Sequence, residues 1–261
     1  MRKILVVVAI ALVPFCAFGV DGTVLINQST VMATGGFPYK ITQPGSYRLS
    51  GNLTVPDANT TAIEVNSDNV TIDLNGFSIL GPTVCSGSPV VSCSPTGSGI
   101  GVHDGVSFGI EILNGVIRGM GSLAIETGES VRVKGIRAIS NGRGGISNVN
   151  GPVESSIANS NGGVGIAAFS AIANEANFNS GVGIEIFGIA VNNVVFHNGS
   201  DGIQTGITGT VSGNFARGNG GAGINAGCPS SIVSNTLDGN AGGNIFTRGS
   251  GCVLATNAPA P

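Results

Sequence analysis

The chain has 261 residues, 44 of them glycine and 25 asparagine, with 10% charged residues and a formal net charge of −3. A hydrophobic content of 41% with so few charges excludes a disordered chain, which needs the opposite balance, and the scarcity of basic residues excludes a nucleic-acid footprint. Glycine without a period of three is not collagen, and a chain so rich in Gly and Asn is a poor helical bundle; an all-β protein with repeated turns remains.

In chain order, residues 1–19 read as a secretory signal peptide. Arg2 and Lys3 give a positive start, residues 4–15 are apolar, and Ala17-Phe18-Gly19 is a small-x-small ending. The apolar stretch is shorter than the roughly 20 residues of a membrane span. Cys16 follows the bulky Phe15, a poor fit to lipoprotein processing. Cleavage near Gly19 leaves 9 basic against 14 acidic residues and predicts a secreted, extracellular or periplasmic protein. Residues 20–59, where Phe37, Pro38, Tyr39, Pro44, Gly45 and Tyr47 punctuate short apolar runs, predict an N-terminal cap of short strands. The segment from Asn69 to Gly76 then alternates apolar and polar residues, a strand pattern. An insertion near residues 82–98 carries Cys85 and Cys93.

From residue 141 a repeat takes over. Asn141-x3-Gly145-Ile146 recurs from Asn161, Asn179, Asn198 and Asn219, and a last copy runs from Asn240 to Asn244-Ile245. There Asn244 replaces glycine, being another residue that tolerates left-handed backbone. The Ile positions lie 20, 18, 19, 21 and 21 residues apart. A second polar column, Ser156, Asn174, Asn193, Asn214 and Asn235, precedes the first by five residues. Leucine-rich repeats also have periods near 20, but this region has almost no Leu. A β-solenoid needs inward Ile/Val/Ala, turns built from Gly and Asn, and coils stacked about 4.8 Å apart. Stacked Asn side chains can hydrogen-bond to one another and to turn backbone, so both Asn columns are assigned structural roles.

With these repeats and the Asn-Val-Thr-Ile-Asp-Leu-Asn-Gly entry, the chain resembles right-handed parallel β-helix repeat proteins of the pectin-lyase-like superfamily. The resemblance implies a single-stranded right-handed parallel β-helix of about 9 coils over residues 60–257, with residues 258–261 as a tail. That fold hosts lyases, hydrolases, epimerases, adhesins and accessory proteins. Cys85, Cys93, Cys228 and Cys252 are an even set in an exported chain, which favours disulfides, and three pairings are possible. Cys85–Cys93 would close a short loop; Cys228 and Cys252 fall about one coil apart and could staple the final two coils. Neither pair has zinc-ligand spacing with a nearby His.

Enzymes of this superfamily act on polysaccharides with charged residues on neighbouring coils. Here the Asp residues are scattered, with no Asp-Asp, Asn-Thr-Asp or Asp-Pro-His motif. No cofactor is predicted, since calcium would need a ligand cluster that the sequence does not display. Two features stand out. Arg118, Arg132, Lys134, Arg137 and Arg143 lie close in sequence, and Arg forks bind carboxylates bidentately, so Arg118, Arg132, Lys134 and Arg137 are candidate contacts for a uronate-containing glycan. Aligning Val102 with Ile125 also places His103 and Glu126 in one outward column, with Glu185 and Gln204 further along it and Glu64 or Asn66 beside His103. A His between carboxylates could serve as a general base. His197, next to Asn198, is read as a turn residue. The first expectation is a secreted, non-catalytic glycan-binding, surface or adhesive module with a polysaccharide or cell-surface partner. The second is a polysaccharide lyase or hydrolase for uronate-containing glycans, using His103 and Glu126. The enzyme reading requires that His103, Glu126, Arg132 and Lys134 share one face.

Overall fold

The computed structural model describes residues 22–128 and 131–259; the signal-peptide segment 1–19 lies outside the described residues. The repeat folds as a right-handed parallel β-helix, all-β apart from the short helix Gln28–Ala33. A right-handed winding is the hand of nearly all parallel crossovers, because a twisted strand packs back on its sheet only that way.

Each coil crosses three faces. On the first face, Tyr39–Ile41 pairs with Ile63–Val65 and that with Val102–Asp104, and the stack ends at Ile245–Arg248. The second face runs from Thr23–Ile26 to Val253–Ala255, and the third from Leu53–Thr54 to Ala258–Pro259. The second face stacks eleven strand segments, more than the 9 coils expected. The reason lies in residues 20–59, whose strands Thr23–Ile26 and Gly45–Leu49 are in register with Val70–Asp73. Capping falls to the helix, which replaces the third-face strand of the first coil. Asn27 starts it with a reciprocal capping box to Thr30, and Val31 is fully buried over the open end. At the other end, Ala258 and Pro259, read as tail, pair with Thr236 and Leu237.

Period-two alternation sends one set of side chains inward. Ile63, Ile72, Ile112, Ile125, Val133 and Ile184 are fully buried, one above another with their neighbours along the axis. Both Asn columns form ladders. Asn141, Asn161, Asn179, Asn198 and Asn219 each pass a side-chain amide bond of 2.8–3.0 Å to the next, the last reaching Asn240. Asn174, Asn193, Asn214 and Asn235 do the same at 2.9–3.1 Å, ending on Asn257. The residue before each ladder Asn holds the left-handed turn, with φ of 54° at Ser140, 58° at Phe178 and 51° at His197.

The repeat glycine has a different purpose from the one expected. Gly183 and its equivalents have ordinary φ; a Cβ on Gly183 would meet Asn198 Nδ2 at 2.6 Å and Gly202 O at 2.7 Å. Close stacking of coils therefore demands glycine there. Asn244 is accepted because, among the described residues, no strand stacks on the first face beyond Ile245–Arg248.

Of the three possible pairings, the structure forms Cys85–Cys93 and Cys228–Cys252. The first closes the antiparallel hairpin Val84–Gly87/Val90–Ser94. This hairpin lies along the corner between the third and first faces. Its two Sγ atoms lie beside Asn141 O, and Val90 N donates to Phe178 O at 3.0 Å.

Candidate functional site

Stacking at one residue per coil turns sequence positions into straight files. The outward file of the first face reads Lys40, Glu64, His103, Glu126, Ser147, Ala167, Glu185, Gln204, Asn225 and Phe246. His103, Glu126, Glu185 and Gln204 stand as the alignment predicted, and the register puts Glu64, not Asn66, beside His103. His103 Nε2 lies 4.0 Å from Glu126 Oε2, and Lys40 Nζ lies 3.6 Å from Glu64 Oε2. Asn66 turns back to donate to Glu64 Oε1 at 3.2 Å.

Open clefts flank His103 on both sides. One of about 560 Å³ is lined by Asn66, Asp68, His103, Val106 and Ser107. The other, about 380 Å³, is lined by Phe37, Asn59, Thr60, Glu64 and His103. Its wall is organised by Asp57, which accepts from Asn59 N at 2.8 Å and Thr60 Oγ1 at 2.9 Å. The backbone bond from Asn59, then the Thr60 hydroxyl, hold the Asp57 carboxyl below its usual range. Desolvation raises the Tyr39 phenol, which sits in the strand preceding Glu64.

Asp104, next to His103, carried no signal in the sequence reading. It points inward with 1% exposure; Oδ1 accepts from Ser107 N at 3.2 Å, and Oδ2 has no partner among the described residues. No group of three or more His, Cys, Asp or Glu side chains converges as a metal site among the described residues.

The basic cluster does not form one patch. Arg132 and Lys134 project from the second face, whereas Arg137, beyond the next corner of the same strand, and Arg118, in the strand Glu111–Arg118 of the coil before, stand on the third. Arg132 is also neutralised, donating to Glu154 Oε2 at 2.9 Å and Glu111 Oε1 at 3.3 Å. The Glu154 bond, then the Glu111 bond, raise its pKa further. The four residues required to share a face are thus split, His103 and Glu126 on one and Arg132 and Lys134 on another. Proximity in sequence was misleading because one coil turns through three faces in about 20 residues. His197 sits at a left-handed corner as expected, its ring parallel to Phe178 at a centroid distance of 5.7 Å.

Phe169 and Phe187, which lie outside the repeat signature, are about half exposed at the corner between the first and second faces. The available signal was a large aromatic directly after an inward residue, where other coils carry Asn66, Gly105 or Gly206.

The architecture and its charged file define a parallel β-helix with one polar, cleft-bearing face. Among solved structures, the chain is similar to the A-module of mannuronan C-5 epimerase AlgE6 of Azotobacter vinelandii. The TM-score is 0.53 at 12% identity, over 90% of this chain and 93% of that one. It is similar too to the A-module of mannuronan C-5 epimerase AlgE4 of the same organism, with a TM-score of 0.51 at 14% identity over 89% of each chain. At these identities the likeness is one of fold. No family model matches the chain, and no curated protein matches it by sequence.

Proposed function

We propose that the chain is an exported carbohydrate-active β-helix that hydrolyses a polysaccharide at the Glu64–His103–Glu126 file. The file itself carries the reading: two carboxylates flank an imidazole on three successive coils, with open clefts on both sides. Two coils span about 9.6 Å at the strand spacing. That is close to the roughly 6.5–9.5 Å separating acid and base carboxylates when a water must fit between them. Glu64, paired with Lys40, is assigned as base: it takes a proton from water as the water oxygen bonds the anomeric carbon. Glu126 is assigned as acid, protonating the leaving glycosidic oxygen as the C–O bond breaks, and His103 returns a proton to it. The similarity to two proteins named for action on mannuronan supports a polysaccharide substrate, and the two disulfides fit an oxidising compartment.

A second reading, glycan binding without turnover, is favoured by one observation. The His103 and Glu126 side chains are 39% and 45% exposed, so water is not excluded from the file.

The test is incubation with a panel of polysaccharides while following new reducing ends and ultraviolet-absorbing unsaturated ends. Reducing ends without unsaturated ends are expected, with Glu64→Gln and Glu126→Gln each losing about 10²-fold or more. Unsaturated ends would overturn hydrolysis in favour of elimination, and binding without product would leave the second reading standing.

A further inference from the structure

One edge of the solenoid carries an apolar strip that the fold does not need. Phe169 and Phe187 follow the inward residues Ala168 and Ile186, the same edge position that Asn66 and Gly105 hold after Val65 and Asp104. The cleft beside His103 opens on that edge, several coils nearer the N-terminus. Val106 and Phe108 lie beside the cleft at 78% and 56% exposure. Two coils that carry Gly128 and Val149 at this edge separate them from Phe169, and Ile207 follows the phenylalanines at 65%. The Phe169 ring lies over the next coil, where a Cβ on Gly188 would meet its Cε1 at 2.8 Å.

We propose that Phe169 and Phe187 form a binding shelf for an uncharged polysaccharide lying along the solenoid axis and running on from the His103 cleft. This rests on the polysaccharide reading above and specifies its substrate class. The two residues sit on consecutive coils, whose strands are about 4.8 Å apart. Beside them the outward file supplies Ser147, Glu185 and Gln204, with Ala167 between the first two. An apolar shelf next to a row of hydrogen-bonding groups matches a pyranose, which presents C–H faces and a rim of hydroxyls.

Charge selects against a polyuronate. The file holds Glu64, Glu126 and Glu185, and its one lysine, Lys40, is paired with Glu64. Arg132 is bound by two carboxylates on another face, and Arg118 and Arg137 project from the third. A polyanion on this edge meets like charge, which costs affinity.

The test is calorimetric titration of wild type, Phe169→Ala/Phe187→Ala and the control Val91→Ala, an exposed apolar residue on the hairpin. The ligands are uncharged glucan and mannan oligosaccharides and polymannuronate, with sedimentation run alongside. The double variant is expected to bind long uncharged oligosaccharides about tenfold more weakly, while Val91→Ala binds like wild type. Unchanged affinity in the double variant overturns the shelf, as does tighter binding of polymannuronate than of every uncharged ligand. Dimerisation of wild type that the double variant loses also overturns it, assigning the strip to a second copy of the chain. In each of those cases the reducing-end assay still stands as a separate measure of the hydrolase reading. If wild type neither binds nor cleaves any polysaccharide, the functional reading itself falls, and the shelf with it.

Discussion

At Asn198 one buried amide meets four partners. Its Oδ1 accepts from Asn179 N at 3.1 Å and Asn179 Nδ2 at 3.0 Å, while its Nδ2 donates to Ala176 O at 2.8 Å and Asn219 Oδ1 at 3.0 Å. Alanine there leaves several buried groups unpaired, so Asn198→Ala is expected to lower stability by about 2–4 kcal/mol in urea unfolding. Gly202→Ala forces a Cβ to within 2.6 Å of Gly223 O and should cost about 1–3 kcal/mol, whereas Gly105→Ala meets nothing within 4 Å and should be near neutral. Asp104→Asn is expected to raise the thermal midpoint by about 2–4 °C, because a neutral amide replaces a buried carboxylate with an unpaired oxygen; a lower midpoint would contradict this. Asp57 fixes the sign of one pH effect. Its folded-state pKa is lowered, so its contribution is present above the ordinary aspartate range and is lost as pH falls through the folded value. A carboxyl carbon titration should place that midpoint below 3.8.

Among the elements, the two disulfides differ in what they hold. Cys228–Cys252 spans 24 residues and ties the strand Ile224–Gly227 to the segment after Ile245–Arg248, at an end where the inward Leu254 is still 52% exposed. Removing it as Cys228→Ser/Cys252→Ser should cost about 3 kcal/mol by loop entropy. Amide exchange should speed up first at Ile245–Arg248 and Val253–Ala255. Cys85→Ser/Cys93→Ser acts only on the hairpin, and exchange in the coils beneath it is expected to stay slow. The helix Gln28–Ala33 guards the other end. Val31→Asp places a charge where Val31 is fully buried and should expose the edge of the first coil. Concentration-dependent light scattering, absent from wild type, is the expected readout.

Over the whole molecule, strand pairing joins each coil to its neighbours, so stability is close to a sum of coil and interface contributions; the hairpin, which reaches Asn141 and Phe178, and the bond from Arg248 to Thr205 O are longer ties. The catalytic candidates lie near the capped end and the phenylalanine shelf towards the open one. Cys228→Ser/Cys252→Ser should therefore loosen the last coils while leaving turnover at the His103 file intact. The Asn columns, the coil period, the neighbouring positions of His103 and Glu126, and the presence of disulfides were legible in the sequence, while the pairing was open among three. Each depends on spacing along the chain, and stacking at one coil per period converts spacing directly into contact. The strands of residues 22–59 were less legible, because Gly45–Leu49 stacks on Val70–Asp73 without the Asn-x3-Gly-Ile signature.

The sequence by itself determined a stack of coils with an apolar interior and buried Asn ladders, since its period repeats through every copy. Only the tertiary structure decided which outward residues act together. The corners between faces separated Arg132 from His103 although they are 29 residues apart, and Glu111 and Glu154 took up the Arg132 charge. The same corners brought Glu64 beside His103 across a 39-residue interval that contains the hairpin. Side-chain direction depends on where the backbone turns, and a one-residue shift in a strand reverses it.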